Sequence, residues 1–295
     1  MATPFPETRP ELRRPEFETA VDMLAHAADR HPNHLAIICG ENEITYGDYY
    51  ACAAGMAASL VEMGALDERV IIIKSNSIET SVAVYAVWAA GAQVVLFNPL
   101  YTVNELGPLI ADAAPKVIIC DAIHVDMLAP LAKANDVSHF YTFDDDRIEI
   151  GQWRGRRDLK VPEPVLRGDD NSILAYTGGT TGIPRAAIHT QARLVMMARL
   201  MEAMYATEIA GETWLNVAPQ SHIWGWCVTL LTPVYGCNTV VIVPQFKPDI
   251  VVDEMVRTKA SIFAGGPSVI YNALLSVPAL KSADLGNLRI CLGGG

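Results

Sequence analysis

The chain has 295 residues, and its 33 Asp and Glu outnumber its 22 Lys and Arg, so the net charge is −11 at neutral pH. Hydrophobic residues make up 51% and charged residues 19%, which suits a sizeable apolar core and excludes a disordered chain. The acidic balance, with no Lys/Arg-rich run to offset it, argues against nucleic acid as a partner.

Apolar, β-branched runs alternate with helical segments in the first half of the chain. Residues 69–73 and 93–97 are continuous apolar runs, typical of strands that are buried on both faces. Residues 78–90 between them form a predicted helix, and Thr102 with Glu105 has the spacing of a capping box that opens another. Alternation of this kind builds parallel sheets flanked by helices.

Residues 144–170 interrupt this rhythm, because they are charged, contain two prolines and three glycines, and show no hydrophobic period. The alternation resumes with predicted strands at residues 172–176, 186–190, 214–218, 238–243, 261–265 and 288–292. We therefore predict an α/β fold with two packed α/β subdomains, residues 17–165 and 166–295, whose mainly parallel sheets are flanked by helices. Residues 1–16 are predicted to be a loose tail.

The six cysteines form no CxxC pair, which indicates reduced thiols in a cytoplasmic protein and neither a disulfide framework nor a zinc site. Two long stretches without charge, residues 80–104 and 213–246, are interrupted by Gly, Pro and amide side chains. A membrane-spanning helix needs about 20 predominantly apolar residues, so we interpret both as buried helix-and-strand units. The acidic run at residues 144–146 is interpreted as a solvated loop, not as a magnesium site.

The sharpest motif, YTGGTTGIPR, follows the predicted strand at residues 172–176. Its glycines let backbone N–H groups approach an anion, its threonines add hydroxyl donors, and its arginine adds a permanent charge. The candidate phosphate-binding residues are Thr177, Gly178, Gly179, Thr180, Thr181, Gly182 and Arg185. The spacing matches neither a Walker A loop nor a dinucleotide-binding fingerprint. An ordinary surface turn is the alternative.

This motif resembles the phosphate loop of the adenylate-forming superfamily, which includes acyl-CoA synthetases, luciferases and peptide-synthetase adenylation domains. Its Gly-Gly form is similar to bacterial long-chain fatty acyl-CoA ligases, whereas Arg185 and Ala186 replace the more common Lys and Gly. Other segments resemble family elements in the same order: residues 44–46, 90–105, 219–225, 266–268 and 289–295.

The resemblance implies a two-step reaction in which a carboxylate attacks the α-phosphate of ATP, and the thiol of CoA then displaces AMP from the acyl-adenylate. It implies Mg²⁺ as a cofactor, with Thr181 as its candidate ligand, and His222 as the catalytic residue beside the substrate carboxylate. The implied adenine and acyl pocket consists of Trp224, Gly225, Gly293, Gly294 and Gly295, with Trp226 lining or plugging the acyl tunnel.

Each of these roles has a structural alternative. His222 could be a half-buried histidine with satisfied hydrogen bonds, since histidine is often buried and paired. Trp224 and Trp226 could be core residues, because aromatic side chains dominate apolar packing. Residues 293–295 could be a simple turn.

The family's later elements, including its small C-terminal lid domain with a catalytic lysine, find no counterpart in the sequence. We therefore expect this chain to be the N-terminal, ATP- and acyl-binding part of an ATP-dependent fatty acid–CoA ligase, inactive by itself. An adenylation domain for an aryl acid or a carrier protein is one alternative, and a non-catalytic nucleotide-binding fragment is another. Peripheral membrane contact and a homodimer both stay open.

Overall fold

A computed structural model describes residues 16–143, 148–163, 166–177, 185–205 and 207–294. The strands are β1 Leu35–Cys39, β2 Asn42–Thr45, β3 Arg69–Ile73, β4 Gln93–Phe97, β5 Val117–Asp121, β6 His139–Phe143, β7 Asn171–Thr177, β8 Arg185–Thr190, β9 Thr213–Asn216, β10 Thr239–Ile242, β11 Ile262–Gly266 and β12 Ile290–Gly293.

The α-helices are α1 Ala20–Arg30, α2 Tyr46–Glu62, α3 Ile78–Ala89, α4 Val103–Ala113, α5 Val125–Ala134, α6 Ile148–Gly151, α7 Gln191–Tyr205, α8 Ile223–Trp226, α9 Thr232–Tyr235, α10 Pro248–Arg257 and α11 Ser268–Leu275. Two short 3₁₀ turns, Ala122–His124 and Pro278–Lys281, and one π-helical turn, Cys227–Leu231, complete the elements.

The strands form two six-stranded sheets, with the orders β12-β11-β9-β10-β1-β2 and β6-β5-β3-β4-β7-β8. All neighbours are parallel except for one antiparallel pair at an edge of each sheet, β1 with β2 and β7 with β8. The predicted α/β fold with mainly parallel sheets is therefore confirmed.

Alternate residues of the central strands face two different cores. Val70 and Ile72 of β3 belong to a large core between the sheets, which also contains Trp214 of β9 and the residues of α3. Ile71 belongs to an outer core with α4 and α5, while α10 and α11 cover the outer face of the other sheet. Because helices cover both faces, the strands are apolar throughout, as the continuous hydrophobic runs predicted.

Helix α3 lies between the two sheets, and its sequence has no continuous polar face. Every residue of α3 except Glu79 in its first turn is buried, and from Val82 onward the helix is hydrophobic all around. Ser77 caps its first turn, and Gly91 beyond its end has a φ of +74°, a conformation that glycine adopts without strain. The capping box of Thr102 and Glu105 opens α4 as predicted.

The predicted boundary at residue 165 does not coincide with a division between the sheets. β1 and β2, from before it, join the sheet of β9–β12, whereas β7 and β8, from after it, join the sheet of β3–β6. Strand pairing over such distances depends on packing, which the local composition of residues 144–170 does not encode. Residues 1–15 of the predicted tail lie outside the described residues.

Four of the six cysteines, Cys52, Cys120, Cys227 and Cys237, are buried. No helix in the described part of the chain has the length and apolar character that crossing a membrane requires.

Candidate functional site

The candidate site lies where parallel strands of both sheets end. In the first sheet, β9 leads into the segment that carries His222, and β11 and β12 end in glycines. In the second sheet, β7 ends at Thr177, immediately before the glycine- and threonine-rich segment. Open α/β sheets bind their ligands in the crevice outside the carboxyl ends of the strands.

The turn after β9 is clamped by the turn between β3 and α3. Asn76 Oδ1 accepts from Gln220 N at 2.7 Å, and Asn76 Nδ2 donates to Ala218 O at 3.0 Å. The fully buried Gln220 accepts from Ser77 N at 2.8 Å and donates to Ser81 Oγ at 2.7 Å. Two segments from different sheets are thereby joined directly before His222.

His222 is the N-cap of α8, and its imidazole is exposed. Its Nδ1 accepts from Trp224 N at 3.2 Å, which assigns the ring proton of the neutral form to Nε2. The half-buried alternative therefore does not apply, and Nε2 is a donor without a partner in the described part of the chain. An exposed donor at a fixed backbone position is what a carboxylate ligand requires.

Gly225 is required by the tight turn that positions His222. A Cβ at this residue would lie 1.9 Å from Pro219 O, so any other side chain would displace the turn.

Trp226 is 2% exposed and packs edge-on to His189 of β8, with ring centroids 6.0 Å apart. Trp226 is therefore a core residue, which was the alternative to its role in the acyl tunnel.

Trp224 lies against the end of β11. Its Nε1 is 3.5 Å from the position that a Cβ on Gly266 would occupy, and Gly266 has a φ of +80°. Gly266 O in turn accepts from Gly294 N at 3.1 Å, and Gly293 pairs with Gly266 in the sheet. The structure therefore brings Trp224 together with Gly293 and Gly294, as the resemblance implied, and Gly266 is the residue that joins them.

Tyr271 was not singled out in the sequence, although it belongs to this cluster. Its hydroxyl donates to Leu292 O at 2.5 Å, and its ring lies 3.8 Å from the position of a Cβ on Gly293. The sequence signal that could have identified Tyr271 is its position as an aromatic residue in the first turn of the helix after Pro267. Gly293 and Gly294 are exposed, whereas Gly266 is buried, so bare backbone adjoins the Tyr271 ring at the end of β12.

Thr177 and Arg185 flank the predicted phosphate loop and pair with each other across β7 and β8. The loop residues Gly178, Gly179, Thr180, Thr181 and Gly182, as well as Gly295, lie outside the described residues. The seven-residue connection at residues 178–184 therefore begins and ends at one point on the sheet edge. That arrangement lets one loop enclose an anion with backbone N–H groups from both of its arms.

Tyr176, the residue before this loop, is held by α4. Its hydroxyl donates to Asp112 Oδ2 at 2.5 Å, and its ring centroid lies 5.3 Å from that of Phe97. Partial burial, together with the Asp112 carboxylate, raises the pKa of Tyr176 well above its ordinary range. The hydroxyl stays protonated at neutral pH, so this hydrogen bond to α4 persists at the entry of the loop.

No group of three or more metal-ligating side chains occurs among the described residues. The candidate Mg²⁺ ligand, Thr181, lies outside them. The described residues provide no separate all-protein metal cage. Mg²⁺ commonly binds through substrate phosphates together with only one or two protein ligands.

Residues 24–295 match the family described as AMP-binding enzyme. The chain is 27% identical to a long-chain-fatty-acid–CoA ligase of Bacillus subtilis, over 94% of this chain and 55% of that protein. It is also 27% identical to a feruloyl-CoA synthase of an Amycolatopsis species, over 90% of this chain and 52% of that protein. The chain thus spans about half the length of these curated relatives.

Solved structures show the same fold. The N-terminal domain of FACL13 from Mycobacterium tuberculosis superposes with a TM-score of 0.81 at 24% identity, covering 95% of this chain and 70% of that one. ATP-bound MatB from Rhodopseudomonas palustris gives a TM-score of 0.81 at 24% identity, covering 93% of this chain and 55% of that one. At this level of identity the likeness concerns the fold.

Proposed function

The chain belongs to the AMP-binding enzyme family, and from this premise we propose that it is the ATP- and acid-binding part of an acyl-CoA ligase. The proposed reaction joins a carboxylic acid to AMP with release of pyrophosphate. The thiol of CoA then attacks the acyl-adenylate, which forms acyl-CoA and releases AMP.

The observation that carries the proposal is that His222, Trp224 and Gly266 lie together beyond the strands of one sheet, while β7 of the other sheet ends at the phosphate loop. The exposed His222 Nε2–H would donate to the substrate carboxylate and hold it for attack on the α-phosphate. A fixed donor at a site of developing charge contributes about 3–4 kcal/mol to transition-state stabilisation. The Asn76–Gln220 clamp would keep this donor in place.

Residues 177–182 and Arg185 would hold the outer phosphates of ATP. Arg185 lies at the start of β8, paired with Thr177, so its backbone is fixed at the base of the loop. Thr181 would be the protein ligand of Mg²⁺, which neutralises charge on the phosphates when it is bound. Gly293, Gly294 and Gly295, beside Gly266 and Tyr271, would receive the adenine ring.

We propose a fatty acid as the substrate. Support comes from the Gly-Gly form of the phosphate loop and from the apolar lining that Trp224 would provide. Relatives with fatty and aromatic acids in their names are equally similar to this chain. An oxygen-substituted aryl acid is the second candidate, because Trp224 Nε1–H is buried without a partner in the described part of the chain and could donate to a ring oxygen.

The remaining parts of the proposal concern the whole protein. We propose that these 295 residues bind ATP but form no acyl-CoA by themselves, with completion of the reaction depending on a lid domain of the kind seen in the family. A cytoplasmic location is supported by the spacing of the six cysteines, which includes no CxxC pair. A homodimer and peripheral membrane contact are compatible with the fold and are assigned no residues.

The test is acid-dependent exchange of labelled pyrophosphate into ATP, measured on the natural gene product that contains these residues. Fatty acids of increasing length, ferulate and benzoate would be compared at equal concentrations. Exchange that rises with alkyl length supports a fatty acid ligase, and exchange with ferulate alone supports the aryl alternative. ATP binding without exchange for any acid would favour a non-catalytic nucleotide-binding protein.

A further inference from the structure

A cavity of about 300 Å³ lies between α1, α2 and the segment that follows α6. This volume is at the lower end of the range for small-molecule sites, about 300–1,000 Å³. Its polar lining consists of Arg156, Arg157, Lys160, Tyr50 and Asp29, together with apolar and backbone groups. Three cations therefore meet one carboxylate, on a chain whose net charge is −11.

The cavity is at the edge of the first sheet opposite to the candidate adenylation site. Tyr46 N donates to His34 O at 3.0 Å, which places the start of α2 beside the amino end of β1. His222 and Gly266, in contrast, follow the carboxyl ends of β9 and β11, which run in the same direction as β1. A ligand in this cavity would be separate from ATP at the phosphate loop.

The cationic wall is fixed by contacts with α2. Asp48 Oδ1 accepts from Arg157 Nη1 at 2.7 Å and from Gly155 N at 2.9 Å. A Cβ on Gly47 would lie 2.8 Å from Arg157 Cζ, so the glycine lets the guanidinium rest on the first turn of the helix. This leaves Arg157 Nε and Nη2 without a hydrogen bond among the described residues. The amino end of α2 adds the positive end of a helix dipole.

Two further donors in the cavity are unused. The Lys160 ammonium and the Tyr50 hydroxyl have no hydrogen-bonding partner within the part of the chain that the structure describes. Arg156 is paired with the exposed Asp158 through Nε and Nη2, at 2.9 Å and 2.7 Å, and keeps Nη1 available. Converging guanidinium, ammonium and hydroxyl donors match the several acceptor oxygens of a phosphate group.

We propose that this cavity binds the phosphate group of a small molecule, as a second anion site distinct from the adenylation site. Arg157 and Lys160 would neutralise the charge, and Tyr50 would donate to a third oxygen. Because the segment at residues 153–160 would be tied to α1 and α2 by the ligand, occupancy would stabilise the fold.

The test is calorimetric titration of the 295-residue chain with inorganic phosphate and, separately, with AMP, at constant ionic strength. Lys160→Met removes an exposed charge, Tyr50→Phe keeps the ring packing, and Arg193→Met is a matched control on α7, which contributes no residue to the cavity lining. Loss of a charge-assisted contact weakens binding about tenfold to a hundredfold.

We expect Lys160→Met to weaken phosphate binding at least tenfold, Tyr50→Phe to weaken it severalfold, and Arg193→Met to leave it unchanged. AMP is also expected to bind at the adenylation site, so its titration is fitted with two sites. Loss of one of the two AMP sites in Lys160→Met would identify phosphate esters as ligands of the cavity, and a loss confined to inorganic phosphate would identify the free ion. Equal binding of both probes to Lys160→Met and wild type, with all variants folded by circular dichroism, would overturn the proposal.

Discussion

The indole Nε1 of Trp224 lies 3.5 Å from the point where a Cβ on Gly266 would be. This relationship joins the turn after β9 to the end of β11, and Gly294 N extends it by donating to Gly266 O. Trp224, in the first turn of α8, and Gly266, at the end of β11, therefore adjoin each other in the candidate site.

Substitutions of Gly266 and Gly294 distinguish effects on stability from effects on nucleotide binding. Gly266→Ala forces a side chain onto a φ of +80°, so we predict a free energy of unfolding lower by about 1 kcal/mol or more. A Cβ on Gly294 would meet no atom within 4 Å, so Gly294→Ala should leave stability unchanged. If Gly294 faces the adenine, that variant should nevertheless weaken ATP and AMP binding equally. Unchanged affinity for both nucleotides would remove Gly294 from the adenine pocket.

His222→Ala should slow adenylation by about 10²–10³-fold, because the proposed donor to the carboxylate is lost. The melting temperature should change little, since the imidazole is exposed. His222→Asn is the matched variant: it retains an acceptor for Trp224 N, the helix-capping contact, and removes the imidazole. Pyrophosphate exchange and thermal unfolding are measured on each. Because the Asn amide also carries a donor, recovery of full activity in His222→Asn would show only that the imidazole itself is not required.

If the proposed phosphate site is right, Arg185→Ala, Thr180→Val and Thr181→Val should each weaken ATP binding about tenfold to a hundredfold, since each would remove a contact to the outer phosphates. AMP has no outer phosphates, so its affinity should stay nearly constant. Arg185→Lys keeps the charge and should be tolerated. Titration of ATP and AMP on each variant checks this, with Arg193→Ala as a cationic control. Equal losses for both nucleotides would place the loop at the adenosine end or in the fold itself.

The ion pair of Glu212 and Arg289 should give a stability that depends on pH. Burial raises the pKa of Glu212, but hydrogen bonds from Arg289, Ser261 and Glu208 N outweigh it, and the pKa lies below its ordinary value of 4.5. The carboxylate therefore stabilises the fold fully above about pH 4.5, and this contribution is lost as pH falls through the lower folded-state pKa.

Arg289→Met should accordingly lower the free energy of unfolding by about 2 kcal/mol at pH 7, because a buried carboxylate loses its charged partner. The difference from wild type should shrink below pH 4.5. Arg257→Met is the control, since Arg257 pairs with the more exposed Glu254. Urea unfolding at pH 7 and in acid measures both. A loss in Arg289→Met no larger than in Arg257→Met would show that the pair contributes little.

Local structure followed from the sequence where neighbouring residues determine it. The strands at residues 69–73 and 93–97 and the capping box of Thr102 were predictable, because burial on both faces and a side-chain cap are local signals. The irregular helix at residues 223–231 did not follow from local signals, because it is an α-helical turn followed by a π-helical one. Pro233 lacks an N–H and crowds the preceding turn, and Thr232 N donates to Cys227 O, five residues back.

Long-range pairing explains what the sequence missed. The antiparallel β7–β8 pair was foreseeable, since a seven-residue connection is too short for a parallel crossover, which needs a dozen or more residues. The exchange of edge strands between the two halves of the chain could not be foreseen, because no local pattern specifies which sheet a strand joins. For the same reason the pairing of Gly266 with Gly293, and the position of Tyr271 beside them, emerged only when β11 and β12 were seen side by side.

The most direct test of adenylate formation follows an oxygen atom. The natural gene product containing these residues is incubated with ATP, CoA and palmitate labelled with ¹⁸O in both carboxylate oxygens. If the carboxylate attacks the α-phosphate, the new P–O bond carries a substrate oxygen, and thiolysis leaves it on AMP. Mass spectrometry should then find one ¹⁸O in each AMP released. Formation of unlabelled AMP together with palmitoyl-CoA would contradict an acyl-adenylate and the site assigned to it.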